Sequence, residues 1–235
     1  MTVMLALAAS PAAAQDISIN LGQGGGLTER VIQLIALLTV LSLAPSILVM
    51  MTSFTRIVVV LSLLRTALGT ATAPPNAVII ALALFLTAFV MGPALQRSYE
   101  DGIAPLANNE ITMQQGFERS SAPLRTFMQK NVREKDLQLF TDLSAEPPAA
   151  TADEMSLRVL VPAFMISELK RAFEIGFLLF LPFLIIDLVV ASVLMSMGMM
   201  MPPPVVVSLP FKLIFFVLVD GWSLVAGSLI QSYGT

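Results

Sequence analysis

The chain has 235 residues, 56% hydrophobic and only 12% charged, with 16 acids and 13 bases giving a net charge of −3. Average globular proteins carry about 25% charged residues, and a net negative chain has no basic surface for nucleic-acid phosphates. Cysteine and histidine are both absent, which excludes disulfides, thiolate metal sites, His-dependent triads and imidazole proton shuttles. The composition points to an all-α membrane protein with a mechanical or structural role, without cofactor, metal or enzymatic activity.

In chain order, residues 1–14 read as a signal peptide. Ala12-Ala13-Ala14 before Gln15 has the small-residue form of a cleavage site, so Ala14 and Gln15 flank the expected cut. No Lys or Arg precedes Arg30, so the basic start of such a leader is missing. Residues 15–30 form a flexible lead-in. Its Gly22–Gly26 lacks the Gly-Lys-Ser/Thr ending of a phosphate loop, and Thr28 is placed to cap the first helix.

Charge divides the rest. Residues 96–154 carry sixteen of the twenty-nine charged side chains, ten acidic and six basic. They form a polar insert between two hydrophobic blocks, 31–95 and 155–235. Four apolar segments, Val31–Met51, Ala77–Leu95, Ile175–Met201 and Val205–Ile230, reach the length of about 20 residues that crosses a bilayer. The shorter run Ile57–Leu68 continues from the first and is interrupted by Arg65. With Gln15 delivered outside, Arg56 and Arg65 fall in a cytoplasmic connection, as the positive-inside rule favours. The insert then lies in the periplasm, and the tip Gly198–Pro204 of the last hairpin points inward.

These segments make poor lipid-facing spans. Pro45, Pro93, Pro182 and Pro210 each remove a backbone donor, predicting kinked helices. Asp187 and Asp220 fall mid-segment and Lys212 near the start of the last one, where an ionised group costs roughly 2.5–3.5 kcal/mol. Such helices are expected to pack against protein in a larger assembly. In the insert, Ser121 is expected to cap a helix with Pro123 in its first turn and an apolar stripe of Leu124, Phe127, Met128 and Val132. Glu146-Pro147-Pro148 is a stop, and Thr151-x-x-Glu154 a capping box opening the next helix.

From Pro162 onward the sequence becomes specific. Pro162-Ala-Phe-Met-Ile-Ser-Glu-Leu-Lys-Arg-Ala-Phe-Glu-Ile-Gly-Phe177 is followed by Pro182-Phe-Leu-Ile-Ile-Asp187-Leu-Val. The tail adds Met199-Met200-Met201, Ser208-Leu-Pro-Phe-Lys212-Leu and Val219-Asp220-Gly221-Trp222. This series resembles the FliP family of flagellar export-gate proteins, related to the SctR proteins of injectisomes. The resemblance covers the whole chain and is densest from Pro162 to the end. It implies a non-catalytic subunit of the type III export gate in the bacterial inner membrane at the flagellar base. It also implies a pentamer of this chain joined with FliQ-like and FliR-like subunits in a helical cone. Unfolded flagellar proteins would pass through that cone. Much of the hydrophobic sequence would lie against neighbouring subunits above the bilayer plane.

Three groups carry the expected function. Met199, Met200 and Met201, at a tip that Pro202-Pro203-Pro204 keeps from continuing as helix, correspond to the methionines that form a pore gasket in that family. Flexible thioethers can close a ring yet deform around cargo. Glu168 and Lys212 sit inside apolar motifs where an unpaired charge is costly, and are expected to pair with each other across a subunit boundary. Lys170 and Arg171 read as a solvated face. Asp187 and Asp220 are expected to form helix-to-helix hydrogen bonds rather than a proton relay, and Pro162, Phe164, Phe173 and Gly176 to serve subunit packing. An injectisome subunit, a small-solute transporter with broken helices and an aspartyl protease using Asp187 and Asp220 are the rival readings.

Overall fold

A computed structural model of the chain describes residues 51–144, 155–198 and 204–234, with scattered positions between 31 and 50. The expected signal peptide, lead-in, Thr151–Glu154 box and gasket methionines lie outside the described residues. The chain divides into two compact units, Met1–Ala44 and Pro45–Thr235. In the first, the described positions from Val31 to Ser42 are helical and exposed.

The second unit holds α1 (Phe54–Leu68), α2 (Asn76–Ser98), a π-helical turn (Tyr99–Ile103) and α3 (Ala104–Ala107). Next come α4 (Met113–Asn131), α5 (Glu134–Leu143), α6 (Leu157–Ser196), α7 (Pro204–Leu218) and α8 (Gly221–Gln231). No strand occurs among the described residues. Among them, α6 and the stretch Asn76–Ala107 are long and apolar enough to cross a membrane.

The run expected to be a connection is the central helix. In α1, Ile57, Val60, Leu61, Leu64 and Leu68 recur every three or four residues and are almost wholly buried, the stripe of a core-facing helix. Around them pack Ile79 and Ala83 of α2, Ala172 and Phe183 of α6, Phe216 of α7, and Val225 and Leu229 of α8. Arg65 does not interrupt α1. It lies in the last turn and bonds the Asn76 Oδ1 at 2.5 Å. Gly69 then closes the helix in the left-handed conformation, φ 79°, its N–H bonding the Thr66 carbonyl at 3.0 Å.

α6 merges two expected elements. Its 40 residues run about 60 Å at 1.5 Å each, twice a hydrocarbon core of about 30 Å. Pro162 and Pro182 both lie inside it. The last apolar segment, expected to be continuous, is instead broken: α7 and α8 meet at 63°. The break falls at Asp220, φ 50°, because Asp tolerates the left-handed region better than the bulky apolar residues around it. Gly221 follows where an added Cβ would come within 2.2 Å of the Phe216 ring.

The helix expected to be capped by Ser121 also starts earlier than expected. α4 begins at a capping box in which Thr112 Oγ1 accepts from the Gln115 N–H and Gln115 Oε1 accepts from the Thr112 N–H. Ser121 is therefore interior, its hydroxyl donating to the Glu118 carbonyl at 3.1 Å. Phe127, Met128 and Val132 do face inward, joining Met51, Leu160 and Phe164 in a second core. The π turn has a local cause. Pro105 lacks an N–H for the Asp101 carbonyl, and the Ala104 N–H reaches back five residues to Tyr99.

Candidate functional site

Two buried ion pairs mark the ends of α1. At its start, Arg56 meets Glu168 of α6 with a two-pronged contact: Nε donates to Oε2 at 2.9 Å and Nη2 to Oε1. Both side chains are essentially inaccessible, 1% and 0% exposed. Arg56 Nη1 also donates to the Ser232 hydroxyl at 2.9 Å, and its guanidinium lies 3.8 Å over the Tyr233 ring. The Tyr233 hydroxyl donates to Glu168 Oε2 at 2.5 Å. The ring stacks on Phe127 of α4, centroids 5.7 Å apart. Fork geometry, a cation–π face and extra donors are what a charge pair needs to survive without water.

At the other end, Lys212 of α7 donates to Asp187 Oδ2 of α6 at 2.6 Å and to the Ala67 carbonyl at 3.2 Å. The Ser208 hydroxyl donates to Asp187 Oδ1 at 2.5 Å. Ser208 and Lys212 are four residues apart, so one helix face presents both donors to one carboxylate. Here Lys212 is enclosed but Asp187 is 27% exposed. Between the two pairs Gly176 lets α6 close on α1: a Cβ there would come within 2.3 Å of Leu63 Cδ1.

A third cluster docks the insert. Arg133 donates through Nε and Nη2 to Asp136, both at 2.8 Å. The Ser167 hydroxyl, beside Glu168, donates to Asp136 at 2.6 Å and accepts the Arg133 N–H at 3.0 Å. The Arg133 hydrogen bond, helped by Ser167 and opposed by burial, holds the Asp136 carboxyl at about 2, against an ordinary 3.8. The same bond raises Arg133.

Several expectations change on this geometry. Glu168 and Lys212 do not meet. Each has its own partner within the chain, because α1 and α6 run in the same sense and place the two charges at opposite ends of α1. Asp187 does bond from helix to helix, whereas Asp220 is exposed at the α7–α8 break with no side-chain capping bond. Arg56 lies in a buried helix rather than in a connecting loop. Phe164 is fully buried, its ring set edge-on to Phe127 with centroids 6.0 Å apart. Pro162 is half-buried and Phe173 exposed. Lys170 is more than half exposed and lies 3.9 Å from the equally exposed Glu174, while Arg171 is half-buried. Reasoning from sequence missed Arg56 and Tyr233 as partners. The available signal was Arg56 itself, a cation directly before a buried apolar stripe.

Residues 37–229 match the family model described as the FliP family. The chain belongs to the FliP family. It is 64% identical to the flagellar biosynthetic protein FliP of Caulobacter vibrioides over 97% of this chain and 87% of that protein. Identity to the Pectobacterium carotovorum FliP is 56% over 91% of this chain and 83% of that protein. For the Bacillus subtilis FliP it is 53% over 86% and 91%. Arg56, Glu168, Asp187 and Lys212 all fall within the FliP-matched stretch, and Ser232 and Tyr233 just beyond it.

Proposed function

We propose that this chain is a pore-forming core subunit of the flagellar type III protein export gate in the bacterial inner membrane. It assembles as a homo-oligomer with FliQ-like and FliR-like subunits into a helical cone through which unfolded flagellar proteins pass. Family membership supplies the flagellar context. The observation that carries the reading is the division of the chain's surface. Charges near the core are paired inside one chain, while Phe85, Phe89, Leu184, Ile185, Leu188 and Phe211 stand outward. That surface is made to be covered by neighbours or lipid.

The length of α6 supports the cone. With an apolar far half and a near half bearing Glu168, Lys170, Arg171 and Glu174, it holds the insert, 96–154, clear of the bilayer on the periplasmic side. Met199, Met200 and Met201 follow its end and form the gasket, and no residue is catalytic. Replacing all three methionines with Ala should leave the yield of complex with FliQ-like and FliR-like chains near normal. Membrane conductance on overproduction should rise. Unchanged conductance at normal yield would refute the gasket. Failure of the intact chain to restore motility to a strain lacking its own FliP, despite normal expression, would refute the flagellar assignment.

A further inference from the structure

Neighbouring residues of α6 serve two different helices of the insert. Ser167 holds α5 through Asp136 and Arg133. Glu168 holds Tyr233, whose ring stacks on Phe127 of α4. Tyr233 belongs to neither the insert nor α6: it stands two residues past α8 and is 3% exposed. Gly234 follows in the left-handed region, φ 71°, its N–H bonding the Gln231 carbonyl at 2.9 Å. An added Cβ there would lie 3.7 Å from Lys130 Nζ. The residues after α8 therefore rest on one stretch of α4, from Phe127 to Lys130.

The charges of the sealed site are paired without Tyr233, since Arg56 alone reaches both Glu168 oxygens. What Tyr233 adds is a link from that site to α4. It sits at the end of a helix held by little else. Of the eleven residues of α8, Gly221, Val225 and Leu229 are the buried ones. At its start the backbone turns at Asp220, a single left-handed residue, setting α7 and α8 at 63°. That elbow is filled: the Phe216 ring occupies the space a Gly221 side chain would need and meets Trp222 edge-on, centroids 5.2 Å apart. α8 is thus a stiff rod of about 16 Å, wedged at Phe216 and pinned at Tyr233. A change of angle at the wedge displaces the pin.

We propose that α8 is a coupling strut, with Tyr233 as its positioning residue, that ties the α7–α8 elbow to the seat of α4. The other end of the strut leads into α7, whose Ser208 and Lys212 grip Asp187. The insert thereby follows the placement of α7 on α6, although α7 and the insert are separate in sequence. The coupling runs through one bond to a carboxylate and one aromatic stack, both of which a substitution can remove singly. It rests on contacts within one chain and is independent of the pore reading.

The test reads both ends of the strut in full-length protein in detergent. Trp222 is the chain's single tryptophan, so acrylamide quenching of its fluorescence reports the elbow. Hydrogen exchange followed by mass spectrometry reports α1, α4 and α5 separately. Tyr233→Phe keeps the stack but loses the bond to Glu168. It should speed exchange across Leu124–Asn131 about tenfold and leave α1 and α5 unchanged. Tyr233→Ala should speed the same stretch further and raise Trp222 quenching. Gly221→Ala, which forces the elbow, should speed exchange in α4 of the parent but add nothing in the Tyr233→Ala background, because the pin is already lost. Phe216→Leu loosens the same elbow without added bulk and should behave alike. Equal acceleration of α1, α4 and α5 in Tyr233→Phe would make Tyr233 an ordinary core residue and overturn the proposal. So would unchanged exchange in α4, or additive effects of the elbow variants and Tyr233→Ala, since α8 would then transmit nothing.

Discussion

The ion pairs at the two ends of α1 differ in what encloses them. They stand about 17 Å apart along the helix, eleven residues at 1.5 Å. Arg56–Glu168 is sealed, with both charges buried and Ser232 and Tyr233 completing the hydrogen bonds. Lys212–Asp187 is sealed on the lysine side only. In the first, neither partner has water to fall back on. In the second, the carboxylate does and the ammonium does not. The sealed pair therefore acts as a fixed joint between α1, α6 and the chain end. The half-open pair is the weaker joint, in the C-terminal half of α6.

The largest effect should come from breaking the sealed joint. Arg56→Ala or Glu168→Ala leaves a buried charge alone, at a cost of about 3–5 kcal/mol. Thermal unfolding in detergent should show either variant melting far below the parent. The double variant Arg56→Met with Glu168→Leu should recover much of the loss, since paired removal strands nothing. Wild-type melting of both single variants would mean that the pair does not brace the fold.

The half-open joint should respond asymmetrically. Asp187→Ala strands the enclosed ammonium with the Ala67 carbonyl alone, costing about 1–3 kcal/mol. Lys212→Met leaves a carboxylate that can hydrate and should cost less, by the same melting measurement. Equal losses from both would show that exposure of Asp187 does not matter.

Docking of the insert supplies a pH-dependent counterpart. The Asp136 carboxyl is at about 2 when folded, below its ordinary 3.8. Its contribution is therefore complete above about pH 4 and lost as pH falls through 2. At 1.36 kcal/mol per pKa unit this amounts to about 2 kcal/mol. Hydrogen exchange in α5, corrected for intrinsic rates, should accelerate over that window while α1 stays protected. Asp136→Asn should remove the pH dependence. The smallest effect belongs to Lys170–Glu174, exposed and 3.9 Å apart. Lys170→Ala should change melting by no more than about 0.5 kcal/mol.

Helical class and the apolar helices long enough to cross a membrane were legible in the sequence because they follow from composition and from 3–4 spacing along one chain. Ser208 and Lys212, four apart, share a helix face, but that spacing names no acceptor, and the structure supplied Asp187. Partner choice was not legible. Glu168 and Lys212 looked matched by charge and apolar surroundings, but pairing depends on which helix ends meet. That was decided by α1 lying centrally and in the same sense as α6, which brought Arg56 to Glu168 and Asp187 to Lys212. Tyr233 gives no local sign of burial; only the return of α8 carries it under Arg56. The sequence by itself determined which segments must be helical and which groups cannot stay unpaired, since those are costs of single residues and short spacings. The tertiary structure alone decided who pairs with whom, because contacts between residues 25 positions apart, as Asp187 and Lys212 are, or 112 apart, as Arg56 and Glu168 are, depend on packing that no local pattern encodes.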